Sequence, residues 1–305
     1  MKKKEQFTVG LALGGGGVRG LAHLGVIKEL EKDIPIQMIA GTSMGAVVGG
    51  MYALDPNIAV IEKKLFIALA SKPMRDMEQF MSGQSGGNEK KVIMENLLSF
   101  VKKVYLFNLR VIKRWLFDGS ELMPLFNYLG FDADFKATRL PFCVVSADLH
   151  TGQEVVLRDG NMKGAILASI ALPGIFPPVR RGRHVLVDGG IVSSVPVGPC
   201  RELGASLVIG VGVEARVDHH KKLDNGLDIM FQADAIRQAA LSESNLQFAD
   251  IVIRPDVGHI GWAEFSRARE CVQAGARAAQ RMKPEILKLI HSRKRKSFWR
   301  RLFCK

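Results

Sequence analysis

Apolar residues in this chain collect into short runs bounded by turn residues, and these alternate with longer stretches of helical spacing. Strand-like runs cover Phe7 to Leu13, Ile36 to Ala40, Phe142 to Ala147, Glu154 to Leu157, His184 to Val187 and Leu207 to Val213. Helical spacing predicts one helix from about Leu21 to Glu31, a small-residue helix from Ala46 to Leu54, and a helical region on to Met81, closed by Gly-rich punctuation at Ser82 to Asn88. Alternation of this kind predicts an α/β fold, a mainly parallel central sheet flanked by helices, with functional turns at the carboxyl ends of strands. No internal repeat or long linker interrupts the pattern, so residues 7 to 282 read as one domain and 283 to 305 as a basic, aromatic tail.

Three strand-end junctions carry candidate chemistry. Gly41-Thr42-Ser43-Met44-Gly45 lies between the apolar run Ile34 to Ala40 and the helix from Ala46. A G-x-S-x-G in that context reads as a nucleophile elbow, and the positive end of the following helix favours negative charge at the same spot. The pentapeptide also occurs in ordinary turns. Upstream, Gly14-Gly15-Gly16-Gly17-Val18-Arg19-Gly20 follows a strand and opens a helix, exposing N–H donors suited to a phosphate or to a developing oxyanion. As Gly15-x-Gly17-x-x-Gly20 it matches a dinucleotide fingerprint, but the acidic residue expected about 20 positions on is missing, and Met38, Ile39 and Ala40 stand there. With no Lys-Ser/Thr ending for a P-loop either, the oxyanion reading is preferred, and a tight packing turn is compatible with it. Downstream, Asp188-Gly189-Gly190 ends the run from His184, as a general base or as a plain Asp-Gly turn.

In this order the three junctions resemble the patatin-like phospholipase family, whose pattern runs G-G-G-x-R-G, G-x-S-x-G, D-G-A/G. The likeness extends through Ser146 to Gly152, Ala168 to Pro178 and Ala249 to Pro255, and covers about residues 7 to 282. It implies a three-layer α/β architecture and a lipid acyl hydrolase of the phospholipase A or esterase type, acting through an acyl-enzyme without metal or cofactor. By the same resemblance Ser43 is the nucleophile, Asp188 the base of a Ser-Asp dyad, and the Gly15, Gly16 and Gly17 amides the oxyanion hole. Val18, Arg19, Gly20, Gly41, Gly45, Gly189 and Gly190 are supporting motif positions. Two departures stand out: Ser193 where family members usually carry Asn, and an extra glycine, Gly14, before the triple glycine.

The residues bear on the dyad independently. A serine hydroxyl needs a base within hydrogen-bond reach, ordinarily a histidine. His23, on the first helix, reads as packing or capping; a Ser-His-Asp esterase would have to use His219, His220 or His259. The glycine motif and Asp188-Gly189-Gly190 fit the dyad better, and a carboxylate in that role is expected to be desolvated and raised above ~3.9. A non-catalytic lipid-binding protein of the same fold is the alternative from another class. Arg19 could support the glycine loop, face a lipid phosphate, or make a structural ion pair.

Composition narrows the partners. The 305 residues are 47% hydrophobic, enough for one large core. The four cysteines, Cys143, Cys200, Cys271 and Cys304, form no C-x-x-C pair and suggest neither metal site nor disulfide framework, which with the absence of a signal-like or membrane-spanning stretch points to the cytoplasm. The net charge of +13 is concentrated: residues 281 to 305 carry +9 and 90 to 117 carry +6. In the latter, Lys102, Lys103, Arg110, Lys113 and Arg114 fall on one helical arc of about 120°. Both segments suit peripheral contact with an anionic membrane, or serve as solvated faces. No nucleic-acid-binding motif accompanies the charge, so nucleic acid is not an expected partner, and the sequence leaves the oligomeric state open.

Overall fold

The computed structural model describes residues 7–82, 117, 119–216 and 226–303. The basic arc at 102 to 114, and His219 and His220, lie outside the described residues.

Eight strands form one sheet: β1 (Val9–Leu13), β2 (Met38–Thr42), β3 (Phe142–Asp148), β4 (Glu154–Leu157), β5 (Val179–Arg181), β6 (His184–Asp188), β7 (Leu207–Val211) and β8 (Ile251–Ile253). β3, β2, β1, β7 and β8 pair in that order, all parallel. β4 and β6 both pair antiparallel with β3, and β5 pairs antiparallel with β6. The parallel centre agrees with the sequence; β5 and β8 were not expected.

Register at β3 has a geometric consequence. Val144 and Val145 pair with β2 and β4 together, so those two strands lie on opposite edges of β3. Ser146 and Ala147 pair with β4 and β6 together, so β6 occupies the same edge as β2. Thr42 ends β2 opposite Val145, and Asp188 ends β6 opposite Ser146. The two strands therefore approach each other end to end along β3. Asp148 holds β6 there, its carboxylate accepting from His184 Nδ1 at 2.9 Å, the Val185 amide at 3.1 Å and Thr151 Oγ1 at 3.0 Å. The His184 contact first, then the amides of Val185 and His150 and the Thr151 hydroxyl, hold the Asp148 carboxyl well below the usual range.

Helices cover both faces. Those described are α1 (Ala22–Leu30), α2 (Met44–Leu54), α3 (Ile58–Leu69), α4 (Lys72–Ser82), α5 (Met123–Leu129), α6 (Met162–Ile170), α7 (Val197–Glu202), α8 (Gly226–Leu246) and α9 (Ala268–Phe303). Alternate residues of β1 enter opposite cores, as strands buried on both faces require. Val9, Leu11 and Leu13 join α1, α2 and α9, whereas Ala12 joins Val197, Cys200 and Leu246 of α7 and α8. Small residues on the second side let those helices sit close, completing the expected three layers.

α9 has a definite polarity. Just before it, the Trp262 carbonyl accepts the Val18 amide beside the glycine loop, at the carboxyl edge of the parallel strands. Near its other end, Arg293 donates to the Ser206 carbonyl at 3.2 Å and pairs with Asp250, residues directly preceding β7 and β8. The expected limit between residues 282 and 283 falls inside this helix. No helix among the described residues is long and apolar enough to cross a membrane.

Candidate active site

Ser43 sits between β2 and α2 with φ 53° and ψ −122°, and among the described residues it is the sole non-glycine with positive φ. Such a backbone costs on the order of 1–3 kcal/mol and persists only where its surroundings enforce it. Here the Ser43 amide donates to Ser169 Oγ at 2.8 Å, and Ser169 Oγ donates to the Val145 carbonyl at 2.6 Å. The Ser43 carbonyl accepts from Ala46 and Val47, starting α2. At Gly45 the helix crosses β1 so closely that a Cβ would lie 2.2 Å from the Leu13 carbonyl oxygen, so only glycine fits.

The end-to-end meeting of β2 and β6 brings the two predicted residues together: Ser43 Oγ donates to Asp188 Oδ2 at 2.7 Å. The other carboxylate oxygen accepts the Gly190 amide at 2.8 Å, capping the 3-10 turn Gly189–Ile191. Gly189 permits that turn to press on β3, since a Cβ there would stand 2.3 Å from the Val145 carbonyl. Asp188 is 7% exposed, and burial pushes its carboxyl up to about 6. Hydrogen bonds from the Gly190 amide and the Ser43 hydroxyl work in the opposite direction, Asp234 adds to the rise, and Arg237 reduces it.

The glycine loop is pinned almost peptide by peptide. Gly14 donates to the Val211 carbonyl at 3.1 Å, and its own carbonyl lies 2.7 Å from His23 Nε2. His23 is fully buried, and burial pushes it down to about 4, so it is neutral and donates through Nε2. Arg19 Nε donates to the Gly16 carbonyl at 3.1 Å. That guanidinium is 6% exposed and pushed down to about 10 by burial, so it braces the loop and does not face a solvent-borne phosphate. One expectation needs correction: the Gly15 amide donates to the Ser194 carbonyl at 3.0 Å and is not a free donor, although Gly15 touches Ser43. Among the described residues the amides of Gly16 and Gly17 have no acceptor. Val18, Gly20, Gly41 and Gly190 are buried supports.

The Met44 amide and the Ser169 hydroxyl were not singled out in the sequence. The Met44 amide, first in α2, has no intrahelical acceptor and lies next to the serine. Ser169 orients the elbow; its signal was the Ala168 to Pro178 stretch, read only as likeness. Ser193, at the family's usual Asn position, supplies its carbonyl to Thr42 Oγ1 at 3.0 Å. His259, an alternative base, bonds Glu270 at 3.0 Å and is not partnered with Ser43. Among the described residues no group of three or more His, Cys, Asp or Glu could hold a metal.

Sequence comparison assigns the chain to a family. The family model for patatin-like phospholipase covers residues 11–201. The chain belongs to the patatin-like phospholipase family. An NTE family protein of Mycobacterium tuberculosis is 28% identical over 92% of this chain and 48% of its own length. A patatin-like phospholipase domain-containing protein of Caenorhabditis elegans is 31% identical over 68% of the chain and 14% of its own, and human patatin-like phospholipase domain-containing protein 6 is 27% identical over 68% and 13%. The chain thus spans about half or less of these relatives. VipD of Legionella pneumophila shares the fold, with a TM-score of 0.50 at 15% identity over 91% of this chain and 66% of that one.

Proposed function

We propose that this patatin-like chain is a serine lipid acyl hydrolase that cleaves carboxylic esters of phospholipids or related lipids through an acyl-enzyme. The observation that carries the reading is the 2.7 Å bond from Ser43 Oγ to a buried aspartate raised toward neutrality. Asp188 accepts the serine proton as Oγ attacks the ester carbonyl, and returns it to the leaving alcohol. The carbonyl oxygen, charged in the tetrahedral intermediate, is taken by the Gly16 and Gly17 amides together with Met44. Each such donor is worth about 2.7–4 kcal/mol in other hydrolases. Arg19 fixes the peptide plane joining Gly16 to Gly17 and so aims the Gly17 N–H. Water activated by Asp188 then releases the acyl group. The cytoplasm, with the basic C-terminal segment resting on an anionic membrane, is the setting that the charge distribution favours.

Fluorophosphonate labelling of wild type and Ser43→Ala, followed by a panel of lipid classes, tests the reading. Labelling confined to the wild type, Ser43-dependent turnover of at least one lipid class, and retained turnover in His259→Ala are expected. Equal turnover by Ser43→Ala would refute it.

A further inference from the structure

α8 lies against the segment that carries the base. Arg237 Nη1 donates to the carbonyls of Gly190 at 3.2 Å and Ile191 at 2.6 Å. The guanidinium is oriented by Asp234, whose Oδ1 accepts from Nη2 at 2.6 Å and Nε at 3.1 Å, while Gln238 Nε2 holds Asp234 Oδ2 at 2.7 Å. Further along, Asn245 Oδ1 accepts the Val195 amide at 3.2 Å. Between these braces lies Ser194, whose carbonyl fixes Gly15 in the glycine loop.

The Gly189–Ile191 turn is too short to satisfy its own ends. Its amide end is closed by the Asp188 carboxylate through Gly190; at its carbonyl end Ser194 Oγ reaches the Gly190 carbonyl at 3.4 Å, and the Arg237 contacts to Gly190 and Ile191 are shorter. A cation at the carbonyl end and an anion at the amide end also match the polarity of the turn. We propose that Arg237 is a positioning residue for Asp188: by gripping the Gly190 and Ile191 carbonyls from α8, it holds the turn in the orientation that keeps the aspartate on Ser43. Asp234 acts through Arg237 by fixing the fork.

The charged groups felt by Asp188 are Asp234 and Arg237, both on α8. Among the described residues β3 brings Ser146 to it in register, the Ala171 carbonyl after α6 accepts its amide, and the elbow brings the Ser43 hydroxyl. Removing either α8 charge therefore perturbs the base in a direction set by its sign, which a purely structural brace would not do. Both side chains are more than a third exposed, so solvent screening keeps the effect small.

The inference rests on Asp188 being the base, and the test separates the two. The acid limb of kcat/KM against pH is measured on a soluble short-chain ester for wild type, Arg237→Gln, Arg237→Lys and Asp234→Asn, with Ser43→Ala as the blank. Arg237→Gln should lower kcat about tenfold and move the limb up by about half a pH unit. Arg237→Lys should lower kcat with the limb unmoved, because the charge stays and the two-carbonyl fork is lost. Asp234→Asn, isosteric and still able to hold the guanidinium, should move the limb down. Should Arg237→Gln fail to fold, the Lys and Asn variants still decide. Limbs that stay put or move together in both charge variants would overturn the role of Arg237. Wild-type turnover no greater than the Ser43→Ala blank would overturn the hydrolase reading itself.

Discussion

Replacing Asp188 by Asn should abolish turnover and make the protein more stable at neutral pH. Burial raises the carboxyl from its ordinary 3.8 to about 6, so the native state holds the proton more tightly than the unfolded chain does. The sign follows from linkage: as pH rises from about 4 to about 6 the unfolded state releases that proton first, and native stability falls. A shift of about two units corresponds to about 3 kcal/mol, fully lost above pH 6. Asn carries no ionisation penalty and keeps both contacts, since its oxygen can accept the Gly190 amide while its NH2 donates to Ser43 Oγ. That donation is also why the variant is inactive: the serine proton has no acceptor. Urea unfolding of both proteins at pH 4, 5, 6 and 8 should show nearly equal stability at pH 4. A gap opening to about 3 kcal/mol should appear by pH 8, or about 5 °C in Tm for a chain of this size. The wild-type kcat/KM should titrate over the same range. A gap that does not change with pH, or a less stable variant at pH 8, would refute the reasoning.

Ser43→Gly should unfold at higher urea than Ser43→Ala by about 1 kcal/mol, because glycine adopts φ 53° without strain; equal midpoints would remove strain from the elbow. Gly189→Ala should destabilise by about 2 kcal/mol or more and lower kcat together, because its Cβ meets the Val145 carbonyl; a variant with wild-type melting and turnover would contradict the close contact. Truncation after Arg293, which spares its pairing with Asp250, should weaken co-sedimentation with phosphatidylglycerol vesicles and steepen no salt dependence, while leaving hydrolysis of a soluble ester unchanged. Equal sedimentation of both chains would end the membrane role of the tail.

The elbow and the aspartate turn were legible because their signals are local: glycines flanking Ser43 and following Asp188, each at the end of an apolar run. That they touch was not legible, because it depends on β6 lying in line with β2 on one edge of β3, a matter of register between segments far apart in sequence. The same limit hid the occupied Gly15 amide, whose acceptor belongs to Ser194, and Arg237, whose partners are backbone carbonyls that no side-chain motif marks. β5 was missed because Val179-Arg180-Arg181 is short and mostly charged, and β8 because three residues leave no periodicity to read.

The polarity of α9 sets the reach of this molecule. The helix leaves the neighbourhood of the glycine loop and arrives, 25 residues later at Arg293, beneath the opposite rim of the sheet, about 38 Å away along its axis. On the proposed membrane role of the basic segment, a bilayer held beyond Arg293 would meet the side of the protein that faces away from Ser43. Lipid in that same patch of surface would be out of range of the serine, so on this reading the ester would come from a second membrane, a micelle or a carrier on the far side. Were the proposed membrane contact of the tail to hold, adding acceptor vesicles, and not enriching the anchoring ones in anionic lipid, is what should raise turnover.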